Sequence, residues 1–153
     1  MQSAQKRSRW LLLILCLTLL FIWGNSCQPA SVSGAISGKL AEVLQSILGG
    51  GGQEEEASDG LLRKFAHAGE FAVLGTEFCL LLRKRLPASL PSLALSGLSV
   101  AFVDETIQRF VPGRSGEIRD MWIDFGGYTT GVLICLLVCA LWKRRRGRKA
   151  KKA

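Results

Sequence analysis

The sequence predicts an all-α polytopic membrane protein, with four transmembrane helices and a short extracytoplasmic amphipathic helix in a single domain over residues 1–153. Three observations carry that prediction. Apolar residues are gathered into long blocks, with a mean hydropathy of +0.25, and do not alternate with polar ones as a water-soluble core requires. The blocks fall at about residues 10–24, 65–82, 90–108 and 122–142, and most come close to the roughly 20 residues that a helix needs to cross hydrocarbon. Basic clusters at residues 6–9, 83–85 and 143–152 flank them in a pattern that fixes one orientation.

The first block runs from Trp10 to Trp23 behind Lys6, Arg7 and Arg9. It has the layout of a signal peptide's charged and apolar regions, or of a first helix that is retained. No small-residue cleavage pattern follows it, and Trp23-Gly24-Asn25 is a poor prelude to a lipidated Cys27, so a retained helix is expected. Between Ser33 and Leu48, the residues Ile36, Leu40, Val43, Leu44, Ile47 and Leu48 recur at helical spacing, with polar residues largely opposite. This predicts an amphipathic helix lying on the membrane surface or against the bundle. Residues 49–62, opening with four glycines and rich in acid, read as an extracytoplasmic linker.

The second block carries an unusual polar load. His67 and Glu70 are three residues apart and Glu77 lies seven further on, so all three share one helical stripe. The third block offers Ser92, Ser96, Gly97, Ser99 and Ala101 as small contact surfaces and ends with Asp104, Glu105 and Gln108. Gln108 lies one turn beyond Asp104, and Arg109 one turn beyond Glu105, so a pairing of Glu105 with Arg109 is the alternative to a place for Glu105 in a shared pocket. Pro112 and Gly113 mark a turn. The fourth block opens near Asp120 and Asp124 and carries Gly127 and Gly131, a small-xxx-small spacing that lets another backbone approach closely.

Charge sets the topology. Cytoplasmic flanks carry the excess of Lys and Arg, so the three basic clusters are expected inside, with both termini cytoplasmic in a multi-pass cell-membrane protein. Helices two and four then start, and helix three ends, at the outer face. A polar pocket of Lys64, His67, Glu70, Asp104, Glu105, Gln108, Asp120 and Asp124 is expected there, because burying an unpaired charge in hydrocarbon costs several kcal/mol. Arg109, Arg114 and Arg119 are candidates for binding an anion.

The net charge of +8 does not imply nucleic acid as a partner, since eight of the twenty Lys and Arg lie in the basic tail, residues 143–153. That tail follows an apolar helix and is expected to face anionic membrane lipid. Cys16, Cys79, Cys135 and Cys139 sit within apolar runs, so neither a disulfide framework nor a thiolate metal site is implied.

The motifs resemble those of the VanZ-like family of small bacterial integral membrane proteins, named for a protein linked to resistance to the glycopeptide teicoplanin. Residues 25–29, Asn-Ser-Cys-Gln-Pro, resemble the family's Ser-Ser-Gln-Pro stretch. Lys64-x-x-His67-x-x-Glu70-Phe71-x-x-Leu74-Gly75 resembles Lys-x-x-His-x-x-Glu-Tyr-x-x-Leu-Gly. Asp104-Glu105-x-x-Gln108-x-Phe110-x-Pro112-Gly113-Arg114 resembles Asp-Glu-x-x-Gln-x-Phe-x-Pro-x-Arg, and Asp120 through Gly131 resembles the closing Asp-x-x-x-Asn-x-x-Gly-x-x-x-Gly. Cys27, Phe71 and Asp124 depart from the pattern, where the family has Ser, Tyr and Asn. The resemblance implies a membrane protein connected with the cell envelope or with glycopeptide susceptibility, and it implies no particular reaction or cofactor.

Three functions compete on the residues alone. One is binding of a lipid head group or lipid-linked envelope intermediate at the outer interface. A second is an embedded enzyme in which His67 or Glu70 is a general base and carboxylates hold a divalent cation bridging a phosphate. The third is a bundle whose buried charges are paired only to specify one packing. No nucleophile motif, phosphate loop or compact metal spacing is present, so catalytic residues, cofactor and metal ligands are unassigned.

Overall fold

The computed structural model describes residues 2–32, 55–85 and 90–150. The amphipathic helix expected over residues 33–48, and the start of the linker after it, lie outside the described residues. Four helices form the fold: α1 (Gln2–Ser26), α2 (Glu55–Arg85), α3 (Leu90–Gln108) and α4 (Ile118–Ala150), and the described residues contain no strand. Each includes a segment long and apolar enough to cross a membrane, at Ser8–Ser26, Arg63–Leu82, Leu90–Gln108 and Ile118–Arg148. This is a multi-pass membrane protein.

Helix ends differ from the sequence reading in ways their chemistry explains. Where an unstructured acidic linker was expected up to residue 62, α2 is already helical from Glu55. Glu, Ala and Leu are strong helix formers, and acidic residues at a helix start complement its dipole. Helix α4 starts at Ile118, not near Trp122, which puts Asp120 in its first turn. It continues through the basic tail to Ala150, where the Arg146 guanidinium stacks 4.1 Å from the centre of the Trp142 ring.

The surface is apolar and much of the buried interior polar, the reverse of a protein dressed for water. Leu13, Leu17, Leu20, Phe21, Val73, Leu95, Phe102, Leu133 and Leu137 are exposed, while Ser26, Glu77, Asp104, Glu105, Gln108 and Asp124 are buried. An apolar surface on that scale needs lipid to cover it.

Helices α2 and α4 run in the same direction and make the most extensive pairing. Small residues permit it: a Cβ on Gly127 would collide with the Ala68 carbonyl oxygen, and one on Gly131 with that of Ala72. Thr76 Oγ1 also reaches the Gly131 carbonyl at 3.2 Å. Helix α1 runs antiparallel to α2. Asn25 meets Glu70 at one level, and seven residues back along α1 and forward along α2, Thr18 Oγ1 donates to Glu77 Oε1 at 2.9 Å. Glu77 thus takes one partner from α1, about 10 Å of helix away from Glu70, and its buried Oε2 has none among the described residues. Around the helix contacts sit Ile22, Phe71, Leu74, Cys79, Ala101, Val132 and Cys135, with Tyr128 hydrogen-bonded to Ser96 at 2.9 Å. All five cysteines are free thiols.

Candidate functional site

The polar residues meet at the end of the bundle where α1 and α3 finish and the membrane segments of α2 and α4 begin. Asp104 is the hub, with none of its surface exposed. Its carboxylate accepts the Ser26 hydroxyl of α1 at 2.7 Å and the Gln108 amide at 2.8 Å. Gln108 reaches it because residues four apart on a helix share a face. From α2, His67 sets Nε2 3.1 Å from Asp104 Oδ2 and Nδ1 3.1 Å from Glu70 Oε2. Glu70 in turn accepts from the Asn25 amide at 2.9 Å. One chain of hydrogen bonds therefore ties α1, α2 and α3 together.

A turn at residues 111–114 folds the α3–α4 connection back over this cluster. The Arg114 N–H donates to the Val111 carbonyl at 3.1 Å across Pro112 and Gly113. With Gly113 at φ 76°, this is the type II arrangement, which favours Pro first and needs glycine second. The turn delivers Arg114 to the end of α1, where its Nε donates to the Gln28 carbonyl at 2.9 Å and an Nη to the Asn25 carbonyl at 3.1 Å. Burial, and then the nearby charge of Arg63, hold the Arg114 guanidinium below its usual pKa. Glu105 does not take Arg109 as its partner. It lies about 100° around α3 from Asp104, and its Oε2 accepts the Glu117 backbone N–H at 2.8 Å.

A cavity of about 270 Å³ opens beside the cluster. Of the residues expected to form a pocket, Lys64, His67, Glu70, Glu105, Gln108, Asp120 and Asp124 line it, and Asp104 is buried beneath. Lys64 is paired with Asp120 at 2.6 Å. Of the three arginines expected to bind an anion, Arg114 lines the cavity, whereas Arg109 and Arg119 are exposed and do not. Gly127 and Gly131 belong to the α2–α4 contact and Gly113 to the turn. Asn25, Ser26, Arg63 and Glu117 join the site beyond the residues expected there, Asn25 and Ser26 having stood out only as part of a motif. Asn25 and Ser26 carried a visible signal as a polar pair closing an apolar helix, but Glu117 contributes through its backbone, which no side-chain pattern shows.

Among the described residues three buried carboxylate oxygens have no hydrogen-bond partner: Glu105 Oε1 and Asp124 Oδ2 at the cavity, and Glu77 Oε2 away from it. Sequence spacing suggested no metal ligands. The fold nevertheless brings His67 of α2, Asp104 of α3 and Asp124 of α4 together, with one ligand atom from each within 4.8 Å of the others. No linear spacing could display a set drawn from three helices.

A family model described as VanZ/LLP1 matches residues 10–140, which takes in most of each of the four helices and every residue of the cluster. The chain belongs to the VanZ/LLP1 family. No curated protein and no solved structure matches it. Two of the departures noted in the sequence bear on the geometry of this VanZ/LLP1 site. Phe71, where the resemblance has Tyr, is fully buried with its ring edge-on to His67 at 5.8 Å. Asp124, where it has Asn, is one of the carboxylates left with an unpartnered oxygen.

Proposed function

We propose that this VanZ/LLP1 protein binds the anionic phosphate head group of a membrane lipid or lipid-linked envelope intermediate in the cavity, and that the cavity faces the outer interface with both termini cytoplasmic. The observation that carries the reading is the pair of guanidiniums at the cavity. Arg63 lines it with no ion pair among the described residues, close enough to Arg114 for their charges to repel. Arg114 spends its hydrogen bonds on neutral carbonyls and makes no ion pair among the described residues, although the charges of Asp104 and Glu105 act on it from nearby. An anion between the two would relieve that repulsion, and planar forks suit phosphate oxygens.

The size is consistent. A cavity of about 270 Å³ is slightly smaller than sites for drug-sized ligands, so it suits a head group and leaves acyl chains to the bilayer. The basic flanks inside and the family's link with glycopeptide susceptibility support an envelope role at the outer face. A bundle of purely structural charge pairs is less well supported, because the charged cluster borders an open cavity instead of being closed on itself.

The test uses full-length protein in phosphatidylcholine nanodiscs to which phosphatidylglycerol is added. Binding to the folded state raises Tm, by an amount corresponding to about 2.7 kcal/mol at a hundredfold excess over Kd. The rise should be present in the wild type and absent in Arg63→Gln. An equal rise in both would remove the head-group reading.

A further inference from the structure

Taken together, the cavity lining is more acidic than basic: Glu70, Glu105, Glu117, Asp120 and Asp124 stand against Arg63, Lys64 and Arg114. Asp104 adds another carboxylate beneath, and His67 alone reaches it from α2. Buried carboxylates without partners are costly, and Asp124, 1% exposed, leaves Oδ2 with none.

We propose that His67, Asp104 and Asp124 bind a single divalent transition-metal cation, one ligand from each of three helices. Metal bonds of about 2.0–2.2 Å to nitrogen and oxygen put two ligands on one ion about 2.9–3.5 Å apart. His67 Nε2 and Asp104 Oδ2 stand 3.1 Å apart, within that window. Asp124 lies within 4.8 Å of both and closes on the ion by about 1 Å of side-chain movement.

The surrounding bonds are those a metal histidine needs. With Nδ1–H donating to Glu70, 3.1 Å away, the ion takes the place of the proton that His67 Nε2 otherwise shares with Asp104, and that proton is released to solvent. Carboxylate partners of this kind orient the ring and raise its basicity. Glu70 is itself held by Asn25, and Asp104 by Ser26 and Gln108. An imidazole with two carboxylates favours Zn²⁺, Mn²⁺ or Fe²⁺ over Mg²⁺, which prefers oxygen and retains its waters. His67 and Asp124 also line the cavity, so the open coordination positions face it.

The experiment uses full-length protein, delipidated in a maltoside detergent, stripped with chelator and titrated with Zn²⁺ in phosphate-free buffer. The wild type should bind one equivalent. Asp124→Asn should bind at least about tenfold more weakly, and Glu70→Gln about 10- to 100-fold more weakly. Glu77→Gln, which removes a buried carboxylate far from the site, should match the wild type. X-ray absorption on the Zn²⁺-loaded wild type removes any dependence on the variants' folding: it should show one imidazole with oxygen ligands. A sulfur shell at about 2.3 Å would assign the ion to cysteines and overturn the proposal. So would the absence of stoichiometric binding, or Asp124→Asn binding as tightly as the wild type. No lipid phosphate is present, so the outcome is independent of the head-group reading: Zn²⁺ binding without a phosphatidylglycerol response would overturn that reading alone.

Discussion

Replacing Asp104 by Asn tests the hydrogen-bonded hub with little change of shape. The carboxylate accepts from Ser26 at 2.7 Å, Gln108 at 2.8 Å and His67 at 3.1 Å, and the side chain is fully buried. An amide can be turned so that its oxygen serves Gln108 and its NH₂ meets the Ser26 hydroxyl, which keeps the bonds but removes their charge. A hydrogen bond to a charged group is worth about 1.5–3 kcal/mol and a neutral one about 0.5–1.5. Three bonds losing about 1 kcal/mol each sum to about 3 kcal/mol, in line with the roughly 3–5 kcal/mol cost of breaking a buried pair. For a chain of this size that lowers Tm by roughly 6–12 °C. The assay is thermal unfolding of detergent-solubilised protein followed by size exclusion, with Ser26→Ala and the double variant completing a cycle. The two changes should couple, since each removes part of the same contact. A Tm for Asp104→Asn within about 2 °C of the wild type would refute the hub.

Other perturbations separate the remaining contacts. Gly131→Leu should destabilise by about 1–3 kcal/mol or more, through overpacking against Ala72, and unfolding by the same assay would show it. Arg114→Lys cannot hold the Asn25 and Gln28 carbonyls together, so it should lower Tm and impair an envelope phenotype such as glycopeptide tolerance, whereas Arg119→Lys should do neither. On a cysteine-free background, an impermeant thiol reagent applied from outside should label Glu56→Cys and not Gly147→Cys; the reverse pattern contradicts the cytoplasmic termini.

The membrane fold was legible because length and apolarity decide it: a block near 20 residues in lipid has little choice but to be a helix. Helix ends were less legible. Charge at residues 54–59 reads as solvated loop, but the same Glu residues favour a helix start. Within the site, contacts along one helix could be anticipated, as with His67 to Glu70 and Asp104 to Gln108, because spacing alone sets them. Those that depend on the folded connection could not. Arg109 is the natural partner of Glu105 by spacing, yet the chain returning after Gly113 offers the Glu117 N–H instead. The same return swings Arg114 onto α1 and leaves Arg109 and Arg119 on the surface. Arg63, next to Lys64 at the start of the second apolar block, lies on the cavity wall, which its place in the sequence alone does not show.

The central claim, that the polar end of this bundle binds an anionic phosphate head group, is tested most directly by lipid-resolved native mass spectrometry of the full-length protein. The wild type should retain an anionic phospholipid, and Arg63→Gln should lose it by about tenfold or more, as expected when one charged contact worth about 1.5–3 kcal/mol is removed. Arg119→Gln, on the surface away from the cavity, should retain it like the wild type. Equal retention by the wild type and Arg63→Gln, or no bound phospholipid in either, would contradict the account.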